Sequence, residues 1–366
     1  MTDERPIYEP DIQSEAPDPD EILIQDRRVR TQPYDLVVEA LLEQIKGGTI
    51  FLRPLSERPS FQRRYVWTNV LASRLIESIL LNVPIPPCYF SQNEDFELDV
   101  IDGQQRLYSI FRFLDNQYKL VGLEVLKDLN GKRFHQIAFK FQRQIKTHTL
   151  RCVIITNESN PEIKFDVFER LNTNTVPLNT QELRNCIYRG ALNSYLADAA
   201  AYAPWLEILG RKKPDKRMRD EELILRFFAF YIHGIASYRT PQKHWLNEAA
   251  KKGQKYSKDK IAELDAAWKK AISVSLEWFD PSECYRREIK GRTRAINRAL
   301  FDLVTITASH IKPANAPKIK KAFRQRYSSL LKNAEFNDLI SRAVDHKKRT
   351  ARRFELWRKF IGSVLP

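Results

Sequence analysis

The residues best equipped for chemistry are Asp102-Gly103-Gln104-Gln105-Arg106. They fall between a strand-like stretch, Phe96 to Ile101, and a segment with helical spacing, Gln104 to Leu114. A glycine in a strand-to-helix turn lets the backbone come close to a ligand. The first-turn amides of the helix then form an anion site. Arg106 adds a planar cationic fork that matches phosphate. Gln104 and Gln105 both donate and accept, which suits a base, a ribose or a water. Asp102 is placed to hold a metal, orient a water or cap the helix. The same residues also fit a plain capped helix start with an arginine on its solvent face.

Two further clusters carry polar chemistry. Phe61-Gln62-Arg63-Arg64-Tyr65-Val66-Trp67 sets arginines beside aromatics, a combination that grips phosphates and bases together. Its alternative is a basic turn with Tyr65 and Trp67 anchored in the core. Phe168-Glu169-Arg170-Leu171-Asn172-Thr173 precedes Leu178-Asn179-Thr180-Gln181-Glu182-Leu183-Arg184-Asn185. Asn179 or Thr180 fits the N-cap of a helix holding Glu182 and Arg184, and capping explains much of that segment.

The elements that must position these residues are legible in the pattern. Helices are expected over Leu36 to Lys46 and Thr68 to Leu81, and strands over Cys88 to Phe90 and Leu150 to Ile155. Gly47-Gly48 and Pro84, Pro86 and Pro87 punctuate them. Residues 34–155 thus alternate short strands and helices, and the domain that holds them is expected over residues 33–190. From Pro161 onward strand signals nearly vanish, and residues 191–366 read as an all-helical domain. Residues 1–32, rich in proline and charge, read as a disordered acidic arm.

Composition narrows the function classes. The 366 residues carry net charge +15, and 43% are hydrophobic, enough for a sizeable core. Residues 1–26 hold nine acids and one base, a net −8, so the other 340 residues carry +23 of that total. A basic body favours a polyanionic partner, nucleic acid first. Cys88, Cys152, Cys186 and Cys284 form no CxxC pair, and the six histidines are scattered, so no metal-ligand set is expected. There is no phosphate loop of the GxxxxGK[ST] type. A basic, apolar leader is missing and no apolar run is long enough for a bilayer, which points to a cytoplasmic protein.

Four blocks in order, FQRRYVW, RLIESIL with Pro84-Ile85-Pro86-Pro87, IDGQQR and the FERLNT–LNTQELRN pair, resemble the N-terminal domain family of GmrSD-type restriction enzymes. The resemblance covers roughly residues 27–190. The helical remainder resembles stand-alone members, and no HNH nuclease domain is recognisable. The likeness implies an α+β fold: a ParB/sulfiredoxin-like α/β core followed by helices. It implies a nucleoside triphosphate site, with Mg²⁺ as its companion ion. Asp102, Gln104, Gln105 and Arg106 are then the catalytic candidates. Gly103, Gln62, Arg63, Arg64, Asn172 and Thr173 join Arg106 in nucleotide binding, and Arg63 and Arg64 contact DNA. DNA and a separate nuclease subunit are the implied partners, in restriction or phage defence. Many members read Asn-Thr-Gly-Gly where this chain has Asn172-Thr173-Asn174-Thr175. Two rival readings are a non-catalytic DNA-binding module and a metal-dependent ParB-like nuclease, the latter needing Glu77, Glu169 or Glu182 near Asp102.

Overall fold

The computed structural model describes residues 6–9, 29–52, 65, 67–159, 161–171, 179–289, 292–293, 295–342 and 344–362. They form two compact units that divide after Ile187.

The first unit is mixed α/β. Its elements are β1 (Thr31–Pro33), β2 (Leu36–Val37), α1 (Val38–Lys46), β3 (Ile50–Phe51), α2 (Asn69–Leu80), β4 (Cys88–Gln92), β5 (Leu98–Asp102) and α3 (Gln104–Leu114). They continue with α4 (Phe139–Thr147), β6 (Thr149–Leu150), β7 (Cys152–Ile155), α5 (Pro161–Leu171) and α6 (Thr180–Ile187). The main sheet has the order β1-β7-β4-β5-β3. Within it β4 runs parallel to β7 and antiparallel to β5.

Helical spacing builds the layer over this sheet. Thr68 caps α2 by accepting the Leu71 amide at 3.4 Å, and Ala72, Leu75, Ile76, Ile79 and Leu80 are buried along one face. Leu107, Ile110, Phe111 and Phe113 do the same for α3. These side chains join Phe90, Leu41 and Ile154 in one core. Each such burial contributes about 1.5–3 kcal/mol, the force that fixes both helices on the sheet.

The second unit is helical: α7 (Ala191–Ala200), α8 (Ala203–Leu209), α9 (Arg219–His233), α10 (Gln242–Gly253), α11 (Lys258–Trp278), α12 (Arg298–His310), α13 (Ala316–Lys332), α14 (Ala334–Leu339) and α15 (Lys347–Ile361). A two-stranded ribbon, β8 (Glu288–Ile289) and β9 (Arg292–Thr293), interrupts it. Aromatic packing fills the centre. Trp268 lies 5.3 Å from Trp205 and 5.5 Å from Phe227, ring centre to ring centre. A fully buried ion pair crosses the same core: Arg226 donates from Nε and Nη2 to the Asp302 carboxylate at 3.1 and 2.7 Å. Burial alone would push the Arg226 pKa down, but the Asp302 carboxylate outweighs it and the pKa rises. Arg353, also buried, sits with Nη2 3.6 Å from Asp302. Mixed α/β core followed by helices is the α+β class expected. Among the described residues no helix is long and apolar enough to cross a membrane.

The sequence expectation of a disordered arm over residues 1–32 needs correction at two places. Thr31–Pro33 forms an edge strand on β7, its proline tolerated because an edge has no ladder partner on its outer side. Residues 6–9 dock on the helical unit. The Glu9 amide donates to Ile296 O at 2.8 Å, and the Ile296 amide donates to Ile7 O at 3.1 Å. Ile7 is buried. The Arg298 guanidinium lies 4.9 Å from the centre of the Tyr8 ring, and burial pushes the Tyr8 pKa up to about 12. Glu9 accepts from Arg287 and from Asn297 Nδ2, each at 2.7 Å. Composition could not reveal this, because the docking rests on three residues and not on an amphipathic pattern. Glu9→Ala is therefore expected to lower stability by about 1–3 kcal/mol, the scale of a hydrogen bond to a charged group. Urea unfolding of the full chain checks it, and an unchanged midpoint would show that the contact carries no weight.

Candidate functional site

The site starts from the end of β5. Gly103, between Asp102 and the first residue of α3, has φ +97°, which a side-chain-bearing residue rarely adopts. It is also crowded: a Cβ there would stand 2.4 Å from Cys88 Sγ. Glycine thus meets two demands at once, the left-handed turn and close passage over β4. The first turn of α3 receives no side-chain cap from Gly103. Below the turn, Cys88 and Cys152 face each other in register on β4 and β7, and both thiols are free and buried. A hydrogen bond from Cys152 draws the Cys88 thiol pKa down and pushes the Cys152 thiol up.

Arg106 is largely buried, with 9% of its surface exposed. Its Nη2 donates to the Asp102 carboxylate at 2.6 Å and to Pro87 O at 3.1 Å, and its Nη1 donates to Pro86 O. The reason is local. The Pro84–Pro87 run lies outside any strand, and the carbonyls of Pro86 and Pro87 accept from a side chain instead of a ladder amide. One guanidinium satisfies both of them and fixes Asp102. Arg106 is therefore a keystone of the turn as well as a cation at its edge. An Arg106→Ala variant would disturb the unliganded fold, contrary to the simplest reading of an anion-gripping arginine.

Beside the turn lies a cleft of about 590 Å³. Trp67, Tyr89, Asp102, Arg106, Arg74 and Arg170 are among the residues lining it. Tyr89 is placed by strand alternation: Cys88 and Phe90 are buried, and Tyr89 between them points to the other face. Tyr89 is the register partner of Asp102. Trp67 N donates to Gln105 Oε1 at 3.4 Å, and the Trp67 ring also packs on the core. Arg74 pairs with Glu124 at 2.5 Å on the surface. Arg170, at the end of α5, is exposed and makes no ion pair among the described residues.

The predicted site residues divide accordingly. Asp102, Gly103, Gln104, Gln105 and Arg106 sit together at the turn. Gln62, Arg63, Arg64, Asn172 and Thr173 lie outside the described residues. Tyr65 is an anchor: its hydroxyl is 2.9 Å from Ser109 Oγ, and its ring lies edge-on to Tyr108. Asn179 and Glu182 form a reciprocal cap, Asn179 Oδ1 accepting the Glu182 amide at 2.8 Å and Glu182 accepting the Asn179 amide at 2.7 Å. Arg184 is buried and donates to Gln181 Oε1. Glu77 accepts three backbone amides, from Glu124, Val125 and Leu126. Burial pushes its pKa up, but these donors outweigh it and hold the carboxyl below its usual range. Among the described residues no three His, Cys, Asp or Glu side chains converge to hold a metal. Tyr89 was not singled out by sequence reasoning, although the period-two pattern around it carried the signal.

Sheet, glycine turn and adjoining cleft together define a mixed α/β domain with a recess at the start of a helix. Residues 38–189 of the chain match the family model described as GmrSD restriction endonuclease, N-terminal domain. The family ties the chain to DNA-directed restriction and phage defence. Comparisons with characterised proteins and with solved structures found no match.

Proposed function

We propose that the cleft beside Asp102 and Arg106 binds a nucleoside triphosphate and that its occupancy governs how the chain engages DNA. The observation that carries this is the lining: two aromatic side chains, Trp67 and Tyr89, share one recess with Arg74, Arg106 and Arg170. Aromatic faces stack on a base, and guanidinium groups hold phosphate oxygens. The recess, about 590 Å³, is in the size range of small-ligand sites. The uncapped first turn of α3 offers amides for a phosphate or a developing anion. Asp102, held by Arg106, is the carboxylate that would face Mg²⁺ or a water; a bound Mg²⁺ would supply charge neutralisation at the phosphates. Gln104 and Gln105 would orient the water in a hydrolytic cycle.

The two rivals fare differently. Of the three carboxylates that a metal-dependent nuclease would gather around Asp102, Glu77 is engaged with three amides and Glu182 with its own helix cap, which leaves Glu169. A purely DNA-binding use of the cleft has no observation in its favour beyond the cations.

Thermal unfolding with each triphosphate and Mg²⁺ tests the reading. One nucleotide at about 100 times its Kd is expected to stabilise the fold by about 2.7 kcal/mol. Arg170→Gln is the informative variant, since Arg170 is exposed at the cleft and supports nothing else described. It should weaken binding while leaving the unliganded melting temperature in place. No shift with any triphosphate, or an equal shift in the variant, would contradict the assignment.

A further inference from the structure

The chain's positive charge is concentrated in its last helices. Lys312 to Gly362 hold fifteen bases and four acids, a net +11 against +15 for the whole chain. Within α13 there are six bases, Lys318, Lys320, Lys321, Arg324, Arg326 and Lys332, and no acid. The inner face of α13 is apolar: Ala316, Phe323, Tyr327 and Leu330 are buried, with Phe323 packed on Trp278 and Trp357. The outward face carries Lys318, Lys321, Gln325, Ser328 and Lys332, all exposed. Their spacing of three or four residues places them on one stripe about 21 Å long.

This stripe is not ordinary surface charge. Elsewhere in these helices cations are paired: Arg324 with Glu283 at 2.8 Å, Arg349 with Asp338 at 2.7 Å, Arg352 with Glu335 at 2.6 Å. Lys318, Lys321, Arg326, Lys332, Arg358 and Lys359 make no ion pair among the described residues. Lysines three apart with no acid between them cost a helix a few tenths of a kcal/mol per pair. A face serving solubility alone would intersperse acids and avoid that cost. Between the stripe and the end of α15 runs a groove of about 670 Å³, lined by Arg324, Gln325, Arg326, Ser328, Ser329 and Phe360. Every polar side chain in that lining is able to donate a hydrogen bond.

We propose that the exposed face of α13, with the end of α15, is a contact surface for the phosphate backbone of duplex DNA. Lysine and arginine with interspersed hydroxyl and amide donors are the chemistry that positions a protein on phosphates and sugars. The stripe matches several consecutive phosphates along one strand. The surface rests on the DNA-directed reading of the chain, and it is independent of the cleft in the α/β unit.

The test uses the full chain with Lys318, Lys321 and Lys332 changed together to glutamine. Anisotropy of a labelled 30-base-pair duplex is followed over a salt series. Loss of three phosphate contacts should flatten the plot of log K against log salt by about 2–3 and weaken binding about 10- to 100-fold near 0.1 M salt. Lys119, Lys127 and Lys140, exposed on the α/β unit, changed together to glutamine serve as control and should leave the slope in place. An unchanged slope in the first variant, an equal loss in both, or no duplex binding by the parent at low salt each overturns the proposal. Because the DNA measurement contains no triphosphate, failure of the nucleotide site leaves its outcome unaltered.

Discussion

Gly103→Ala will cost about 2–5 kcal/mol of stability and remove the cleft with it. Two effects add. The left-handed φ of +97° disfavours any residue with a Cβ by about 1–2 kcal/mol. The new methyl would also meet Cys88 Sγ at 2.4 Å and Cys88 Cβ at 3.0 Å, and relieving such overpacking costs about 1–3 kcal/mol. Backbone cannot yield easily on either side, since Cys88 N is bonded to Arg151 O and Leu107 N to Gly103 O. A melting temperature lower by about 5–20 °C is expected for a unit of this size. Adding Cys88→Ala should return part of the loss, because it removes the sulfur and leaves the φ strain. A single variant as stable as the parent would mean that the turn is not built as described.

Asp302→Asn will destabilise the helical unit by about 3–5 kcal/mol. The substitution keeps shape and one acceptor but deletes the only carboxylate that Arg226 grips with two nitrogens. Two buried guanidinium groups, Arg226 and Arg353, would then face each other across the site with Asp345 Oδ1 left 3.6 Å from Arg226. Breaking one member of a buried pair costs far more than the pair contributes, because the survivor stays charged and dry. Urea unfolding measures the loss. A change under about 1 kcal/mol would indicate that water or Asp345 already neutralises the arginines. The triad joins α9, α12 and α15, so its loss should reduce the cooperativity of unfolding too.

What the sequence disclosed follows from where apolar periodicity is strong. The α3 helix could be read because Leu107, Ile110, Phe111 and Leu114 repeat at helical spacing, and the glycine turn followed from its neighbours. The α4 helix escaped because only Ile145 of its nine residues is buried. The β1 strand escaped because Thr31, Gln32 and Pro33 are all exposed and show no alternation. The two-residue strands β8 and β9 are too short for any pattern. At the site, residue type announced a cation at position 106 but not its direction. That direction is set by Asp102 and by the carbonyls of Pro86 and Pro87, about twenty residues earlier, which accept from it. Tyr89 and Trp67 entered the cleft through strand register and loop packing, which are properties of the assembled sheet.

The docking of Ile7–Glu9 has a consequence for how the protein is made. Glu9 and Asn297, joined by a side-chain hydrogen bond, are separated by 288 positions. A ribosome delivers Ile7–Glu9 well before their seat on Ile296 and Asn297, which is translated only after the whole α/β unit, which ends at Ile187. About 110 residues remain to be added at that point, roughly 5–20 seconds of synthesis at 5–20 residues per second. Ile7–Glu9 thus wait for their seat, and their docking reports that translation has passed Asn297.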